Sequence, residues 1–372
     1  MSQLKSEVQR VLEEIGVLSI IKNIQIMGNE VLIDINSPSA ALHERKRLEK
    51  GIEEALKEQI EDKSITFKIS VSHDQTTEEK HHSTPEKGAK IEGVQNIIAI
   101  ASGKGGVGKS TVTTNLAISL HAMGFKVGIL DADIYGPSIP TMFAVEKAKP
   151  LSIHINGKQR IEPIESLGIK IMSIGFFADL NQAVAWRGPM ASKALNQMIR
   201  DTYWGELDFL LVDLPPGTGD IHLSLVQQIP ITGAVIVSTP QKVALADVRK
   251  GVEMFKMPQI NVPILGLIEN MAYFTPDELP NNRYYIFGKE GAKKMAEEID
   301  IPFLGEIPLV QSIREGGDNG LPISTDSHNI IANSYKEITK NCVENLVKRN
   351  TELPPSEAVK ITTMAGCSSS KN

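Results

Sequence analysis

A glycine-rich stretch with two lysines constrains this chain more than any other feature of its sequence. It reads Gly103, Lys104, Gly105, Gly106, Val107, Gly108, Lys109, Ser110 and Thr111. In the pattern G-x-x-x-x-G-K-[ST], glycines let the backbone curl until its N–H groups point at phosphate oxygens. The lysine then supplies charge to the β- and γ-phosphates, and the hydroxyl ligates Mg²⁺. An apolar strand is predicted before the stretch and a helix after it, whose dipole would add to anion binding. The stretch is therefore predicted to be a phosphate-binding loop.

The same residues also satisfy a second glycine pattern, G-x-G-x-x-G, through Gly103, Gly105 and Gly108. Asp131 follows at roughly the distance expected of a ribose-binding acid in a dinucleotide fold. Such a fold has no need of Lys109 and Ser110. We therefore favour a nucleoside triphosphate over NAD or FAD, which stays open as the alternative.

Two further apolar strands end in aspartates. The strand predicted over 209–212 ends at Asp213, and the one predicted over 127–130 is followed by Asp131 and Asp133. In enzymes with this loop, an aspartate at the tip of a buried strand holds Mg²⁺ through its water shell. Alternate spacing sends Asp131 and Asp133 in different directions, which suits one for metal or loop contacts and the other for orienting water.

The fold class follows from alternating strands and helices. Strands are predicted over 97–101, 127–130, 169–174, 209–212, 234–237, 264–268 and 303–304, and helices over 111–121, 191–200, 243–255, 291–299 and 328–347. This alternation predicts an α/β fold with a mainly parallel sheet covered by helices on both faces, and a nucleotide at the carboxyl edge of the strands.

Four motifs in order carry a resemblance to a known family. They are the loop with its extra Lys104 and the stretches at 131–138 (DADIYGPS), 186–190 (WRGPM) and 212–220 (VDLPPGTGD). Together they resemble the Mrp/ApbC branch of the MinD/ParA-like P-loop ATPases, which carry iron–sulfur clusters. The resemblance spans about 94–346, most of the chain.

The resemblance implies a set of nucleotide contacts. Residues 103–111 would bind ATP, and Ser110 and Asp213 would hold Mg²⁺. Asn270, after the strand predicted over 264–268, matches the asparagine that reads adenine, a task that suits an amide because it both donates and accepts.

The resemblance also implies slow ATP hydrolysis by a homodimer, with Lys104, Lys109 and Asp133 as the catalytic residues. Lys104 would reach across the dimer to the partner's phosphates, like an arginine finger. We expect it to have no partner within its own chain. Asp133 matches the position that orients attacking water. Arg187 is expected near the dimer face, with an exposed ion pair as the alternative.

Composition argues against two classes of partner and indicates a compartment. A net charge of −6 with 39 basic residues gives no electrostatic footprint for nucleic acid. No apolar run is long enough to span a membrane, so no membrane partner is expected. Only two cysteines indicate a reducing, cytoplasmic environment.

Four segments are predicted along the chain. Residues 1–72 form a small α+β domain of the order α-β-β-α-β that resembles the MIP18-type domain. Residues 73–93 are a polar, flexible linker, residues 94–350 are the ATPase domain, and residues 351–372 are a tail.

The chain departs from its family in its cysteines. The family usually has C-x-x-C soon after the Asn270-Met271 pair, so that two protomers supply the four thiolates of a [4Fe–4S] cluster. No cysteine follows here until Cys342, which lies on an apolar helical stripe and is expected to be buried. We therefore expect any cluster to be labile, to bridge two protomers and to depend on Cys367.

Three functions remain open. The first is an ATP-driven carrier or assembly factor that delivers iron–sulfur clusters to apo-proteins and works with an assembly scaffold. The second is an ATP-dependent dimerisation switch of the MinD/ParA kind without a cluster. The third is a metabolic enzyme on the same fold. The sequence of the tail does not predict the amphipathic membrane helix typical of MinD relatives. The acidic balance predicts no basic surface for DNA, and both expectations favour the first function.

Overall fold

The structure is a computed structural model of the 372-residue chain. It describes residues 2–27, 30–36, 42–60, 65–72, 90–134, 136–177, 188–219, 225, 229–258, 260–276, 278–279 and 281–356. The chain divides into two compact units, Met1–Thr84 and Pro85–Asn372.

The first unit packs two helices on a three-stranded sheet. Its elements are α1 (Ser2–Glu14), β1 (Ile21–Met27), β2 (Glu30–Asn36), α2 (Leu42–Gln59) and β3 (Thr66–Ser72). β1 pairs antiparallel with β2, and β2 pairs parallel with β3, so α2 forms the crossover. Val31, Ile33 and Ile35 are fully buried, because alternate residues of β2 face the helices. The order of elements is the one predicted from the sequence.

The second unit is built on an eight-stranded sheet. Its strands are β4 (Val94–Ser102), β5 (Val127–Asp131), β6 (Ser152–Ile155), β7 (Lys158–Ile161), β8 (Ile164–Ser166), β9 (Ile169–Ser173), β10 (Leu207–Asp213), β11 (Gly233–Ser238), β12 (Ile264–Asn270) and β13 (Phe303–Ile307). The sheet order is β13-β12-β11-β4-β10-β5-β9-β8. All neighbours in it pair parallel except β8 and β9, while β6 and β7 form a separate hairpin.

Seven α-helices are described in this unit. They are α3 (Lys109–Ala122), α4 (Ile139–Met142), α5 (Gly188–Asp201), α6 (Lys242–Lys256), α7 (Gly291–Glu298), α8 (Gln311–Asp318) and α9 (Ile330–Glu352). The mainly parallel P-loop NTPase fold predicted from the sequence is confirmed.

Helix α3 is enclosed on all sides. Every residue from Val112 to Leu120 is buried, including the polar ones. The sheet lies on one side of this helix, and α9 and the 3-10 turn Ile323–Thr325 lie on another. This burial fixes the small polar residues of the helix, among them Thr113, which donates a hydrogen bond to Asp213.

The boundaries of several elements differ from the predicted ones. Ile174 belongs to a 3-10 turn rather than to β9 because the chain turns away from the sheet after Ser173. Helix α9 starts at Ile330, after the Asn329 side chain accepts a hydrogen bond from the Ile331 amide, and continues to Glu352. The β6–β7 hairpin, β8, α4 and α8 were not predicted, since each is a short element.

No helix in the described part of the chain is long and apolar enough to cross a membrane.

Candidate nucleotide-binding site

The predicted phosphate-binding loop joins the end of β4 to the start of α3. The buried strand ends at Ser102 and the helix begins at Lys109, so residues 103–108 curl over the helix amino terminus. Gly106 and Gly108 both have φ of 81°, which favours glycine. A Cβ on Gly108 would also overlap the Asn270 side-chain amide. The backbone therefore has the conformation that a phosphate cradle requires.

Asp213, at the end of β10, gathers the polar side chains of α3. Its Oδ2 accepts from Lys109 Nζ at 2.8 Å and from Ser110 Oγ at 2.6 Å. Its Oδ1 accepts from Thr113 Oγ1 at 2.6 Å. Lys109 is 6% and Asp213 0% exposed, so the ion pair is shielded from water. Without nucleotide, this carboxylate compensates the buried lysine charge, which would otherwise be costly.

The two acids after β5 have different surroundings. The Asp131 carboxylate is fully buried and accepts from Ser173 Oγ at 2.9 Å and from the amides of Asp133 and Ile139 at 3.2 and 3.3 Å. It therefore holds the loop that follows its strand. Asp133 Oδ2 lies 3.8 Å from Lys109 Nζ at the mouth of the site. The different directions expected of this pair are present.

Burial, and after it the nearby Asp213 carboxylate, raise the pKa of Asp131 from 3.8 to about 8. The hydrogen bond from Ser173, the Lys109 ammonium and the Asp133 amide oppose this rise. Two carboxylates near one lysine cannot both ionise at low cost in a dry interior. The Lys109 ammonium pairs with Asp213 at 2.8 Å and with Asp133 at 3.8 Å.

Asn270, at the end of β12, lies behind the loop. Its Nδ2 donates to the Val107 carbonyl at 2.8 Å, and the residue is 6% exposed. One N–H of the amide is engaged in this way, which leaves its second N–H to donate to a ligand and the side-chain oxygen to accept from one. The predicted adenine-reading residue thus shares an edge of the sheet with the phosphate loop.

Lys104 has a contact within its own chain, contrary to the sequence-based expectation. Its Nζ lies 3.4 Å from Oε1 of Gln241, the residue that precedes α6. β11 and β4 are adjacent strands, which brings the segment after β11 beside the loop. No motif or periodicity in the sequence indicates that Gln241 lies beside the loop. Thr113 was also missed, although its position four residues after Lys109 places it on the same side of α3.

The remaining predicted residues are Arg187 and the two cysteines. Arg187 and Cys367 lie outside the described residues, as do 73–89 of the predicted linker and 357–372 of the tail. Cys342 is buried in α9, as predicted, and burial raises the pKa of its thiol to about 12. Within the described ranges, no three His, Cys, Asp or Glu side chains are grouped to hold a metal ion.

Comparisons with known proteins agree with this geometry. The iron-sulfur cluster carrier protein of Haemophilus influenzae is 40% identical over 343 residues, which covers 92% of this chain and 90% of that protein. The iron-sulfur cluster transfer protein NUBPL of Dictyostelium discoideum is 49% identical over 258 residues, 69% of this chain and 78% of that protein.

A solved structure is also similar. The nucleotide-binding protein of Archaeoglobus fulgidus in complex with ADP is 41% identical, with a TM-score of 0.54. The match covers 62% of this chain and 88% of the A. fulgidus chain. Residues 93–343 match the ParA family described as NUBPL iron-transfer P-loop NTPase. The chain therefore belongs to the family of NUBPL iron-transfer P-loop NTPases.

Proposed function

We propose that this protein binds and slowly hydrolyses Mg·ATP as a homodimer and carries or helps assemble iron–sulfur clusters for delivery to apo-proteins. The proposal of ATP hydrolysis rests on one observation. Four side chains contact one another beside the glycine loop: Lys109, Ser110, Asp133 and Asp213. The names of the relatives from H. influenzae and D. discoideum support the cluster part.

The residues at the end of β10 fit a magnesium ion. Ser110 Oγ and Asp213 Oδ2 lie 2.6 Å apart, and hydroxyl and carboxylate oxygens are the donors that Mg²⁺ prefers. Mg²⁺ there would neutralise charge on the β- and γ-phosphates. With Mg·ATP bound, Asp213 would give up its hydrogen bond from Lys109, and the Lys109 ammonium would turn to phosphate oxygens. The lysine would thus exchange a carboxylate partner for a phosphate.

Asp133 is the residue that we assign to the attacking water. It is half-buried, and its carboxylate lies 3.8 Å from the ammonium of Lys109. A carboxylate at that place can accept a hydrogen bond from water and hold it in line with the γ-phosphate. Asp131 has no such part because its oxygens are engaged by its own loop.

Lys104 supplies the reason for proposing a homodimer. Among the described residues of one chain, its ammonium contacts the neutral Gln241 at 3.4 Å, which offers little compensation for its charge. Across a dimer the same ammonium would meet the partner's phosphates, where charge-assisted bonds are stronger. The Gln241 contact is then a resting position that the lysine leaves on dimerisation.

We assign the cluster ligand to Cys367 because the other cysteine, Cys342, is buried. Thiolates bind iron, and the thiol of Cys342 is buried with a raised pKa. A dimer offers two copies of Cys367, so the two remaining ligands of a [4Fe–4S] cluster would come from the acceptor, a thiol cofactor or non-cysteine side chains.

ATPase assays of four proteins test the first part. We expect Lys109→Ala to lose ATP binding, since phosphate charge is no longer met, and Asp133→Ala to bind ATP but to hydrolyse it about 10²-fold more slowly. Asp318→Ala, in the exposed pair with Arg314 on α8, is the matched control and should equal the wild type. Wild-type turnover by Asp133→Ala would contradict its assigned role.

Sedimentation tests the dimer. The wild type with a slowly hydrolysed ATP analogue should sediment as a dimer, and Lys104→Ala should remain a monomer. Lys126→Ala removes an exposed lysine far from the loop and is the control. A dimer unchanged by Lys104→Ala would refute action in trans.

Anaerobic reconstitution with iron and sulfide tests the cluster. The wild type and Cys342→Ser should bind iron, absorb as a cluster and activate an apo-acceptor, whereas Cys367→Ser should not. Equal iron loading of all three would exclude Cys367 as a ligand. No cluster on the wild type would leave an ATPase without this cargo.

A further inference from the structure

A cavity of about 360 Å³ opens at the amino-terminal edge of the eight-stranded sheet. Its walls are residues 90, 91 and 94–97 around the start of β4, Pro230 and Thr232 before β11, and residues 349, 350, 353, 355 and 356 around the end of α9. This volume is within the range of small-molecule sites. The phosphate loop follows the other end of β4, roughly 26 Å away at 3.3 Å per residue. The cavity is therefore separate from the nucleotide site.

Among the polar groups of the cavity, one hydrogen-bond donor has no acceptor in the described residues. Arg349 donates from Nη1 to Asn350 Oδ1 at 3.1 Å and from Nη2 to Ser356 Oγ at 2.9 Å. Asn350 in turn donates to Asn96 Oδ1 at 3.0 Å, and Thr232 Oγ1 accepts from the Ile97 amide. Arg349 Nε is buried and has no hydrogen-bond partner within the described residues. A buried N–H without a partner is costly, which indicates a missing acceptor.

The missing acceptor should be an anion. No carboxylate of the described residues lies within ion-pair distance of Arg349 or of Lys90, which also lines the cavity. Partial burial lowers the pKa of the Arg349 guanidinium, because its charge is partly removed from water without compensation. A planar guanidinium matches the geometry of a carboxylate.

Beside these polar groups and Gln95, the cavity has an apolar wall. Six residues contribute it: Ile91, Val94, Ile97, Pro230, Leu353 and Pro355. A fully hydrated inorganic anion would gain nothing from these side chains, whereas a ligand with an apolar body would bury surface against them. The apolar wall thus favours a ligand with an apolar part, and Arg349 favours one with an anionic group.

We propose that this cavity binds a small monocarboxylate with an apolar body, whose carboxylate accepts a hydrogen bond from Arg349 Nε. Lys90 adds a second positive charge at the rim. The site is independent of ATP binding and of cluster carriage.

Calorimetric titration of the full-length chain with octanoate tests the proposal. The wild type should bind one octanoate saturably, and octan-1-ol at least about tenfold more weakly because it has no charge to meet Arg349. Arg349→Met keeps the apolar stem and should weaken octanoate by at least about tenfold. Lys348→Met, a neighbouring exposed residue of α9, is the matched control and should bind like the wild type. ATP affinity should be the same in all of these proteins.

Leu353→Glu provides a second variant in case Arg349→Met does not fold. Leu353 is 45% exposed, so the substitution is tolerated, and its carboxylate would repel octanoate from the cavity. Three results would overturn the proposal: no octanoate binding by the wild type, equal binding by Arg349→Met, or binding of inorganic phosphate as tight as that of octanoate.

Discussion

Two glycines of the phosphate loop offer a matched test of how the loop is held. Gly106 and Gly108 have the same φ of 81°, so an alanine at either has the same left-handed strain of about 1–2 kcal/mol. Their surroundings differ. A Cβ on Gly106 has no atom within 4 Å, whereas one on Gly108 overlaps the Asn270 amide.

The expected magnitudes follow from this difference. Gly106→Ala should lower the free energy of unfolding by the strain alone. Gly108→Ala must also displace Asn270 from the Val107 carbonyl, to which it donates at 2.8 Å, and the lost hydrogen bond adds about 0.5–1.5 kcal/mol. We therefore expect a total of about 1.5–3.5 kcal/mol for Gly108→Ala.

Urea unfolding of the nucleotide-free protein, followed by tryptophan fluorescence, measures both values. Both tryptophans, Trp186 and Trp204, belong to the second unit, so the signal does not report on the first. Equal destabilisation by the two variants, within the error of the extrapolation, would refute the view that Asn270 braces the loop.

Three further predictions concern the interior of the second unit. Thr113→Val should cost about 1.5–3 kcal/mol in urea unfolding, since it removes a buried bond to the Asp213 carboxylate. The control Thr114→Val removes only a 3.4 Å contact to sulfur, and an equal cost would contradict the assignment. The pKa of Asp131 is raised from 3.8 to about 8 by burial, so its contribution to the free energy of unfolding is complete below about pH 4 and is lost as the pH rises towards 8. Relative to Asp131→Asn, the nucleotide-free wild type should lose stability across this pH range, and the opposite slope would show that the carboxyl stays ionised. In a Cys367→Ser background, Cys342 should react with a thiol reagent only on unfolding because it is buried in α9, and rapid native-state labelling would exclude that burial.

The sequence was sufficient for the framework of the second unit. Long apolar strands alternating with helices specify a parallel sheet, because such strands can be buried only when helices cover both faces. A glycine loop between strand and helix specifies the place of the phosphates. The ends of parallel strands meet at one edge, so the positions of Asp133, Asp213 and Asn270 near the loop followed from order alone.

The tertiary structure decided what the side chains of this edge contact. Nothing local to Asp131 indicates that it is buried and holds its own loop while Asp133 faces Lys109. The contact between Lys104 and Gln241 joins residues 137 positions apart, and it exists because β4 and β11 are neighbours in the sheet.

The cavity beside Arg349 likewise could not be predicted from the sequence. Its walls come from the start of one strand, the loop before another and the end of the last helix, and no periodicity or motif relates these segments. Sequence patterns report local preferences and burial along one element. Distances between elements, and the donors left without acceptors, are determined only when the whole sheet and its helices have packed.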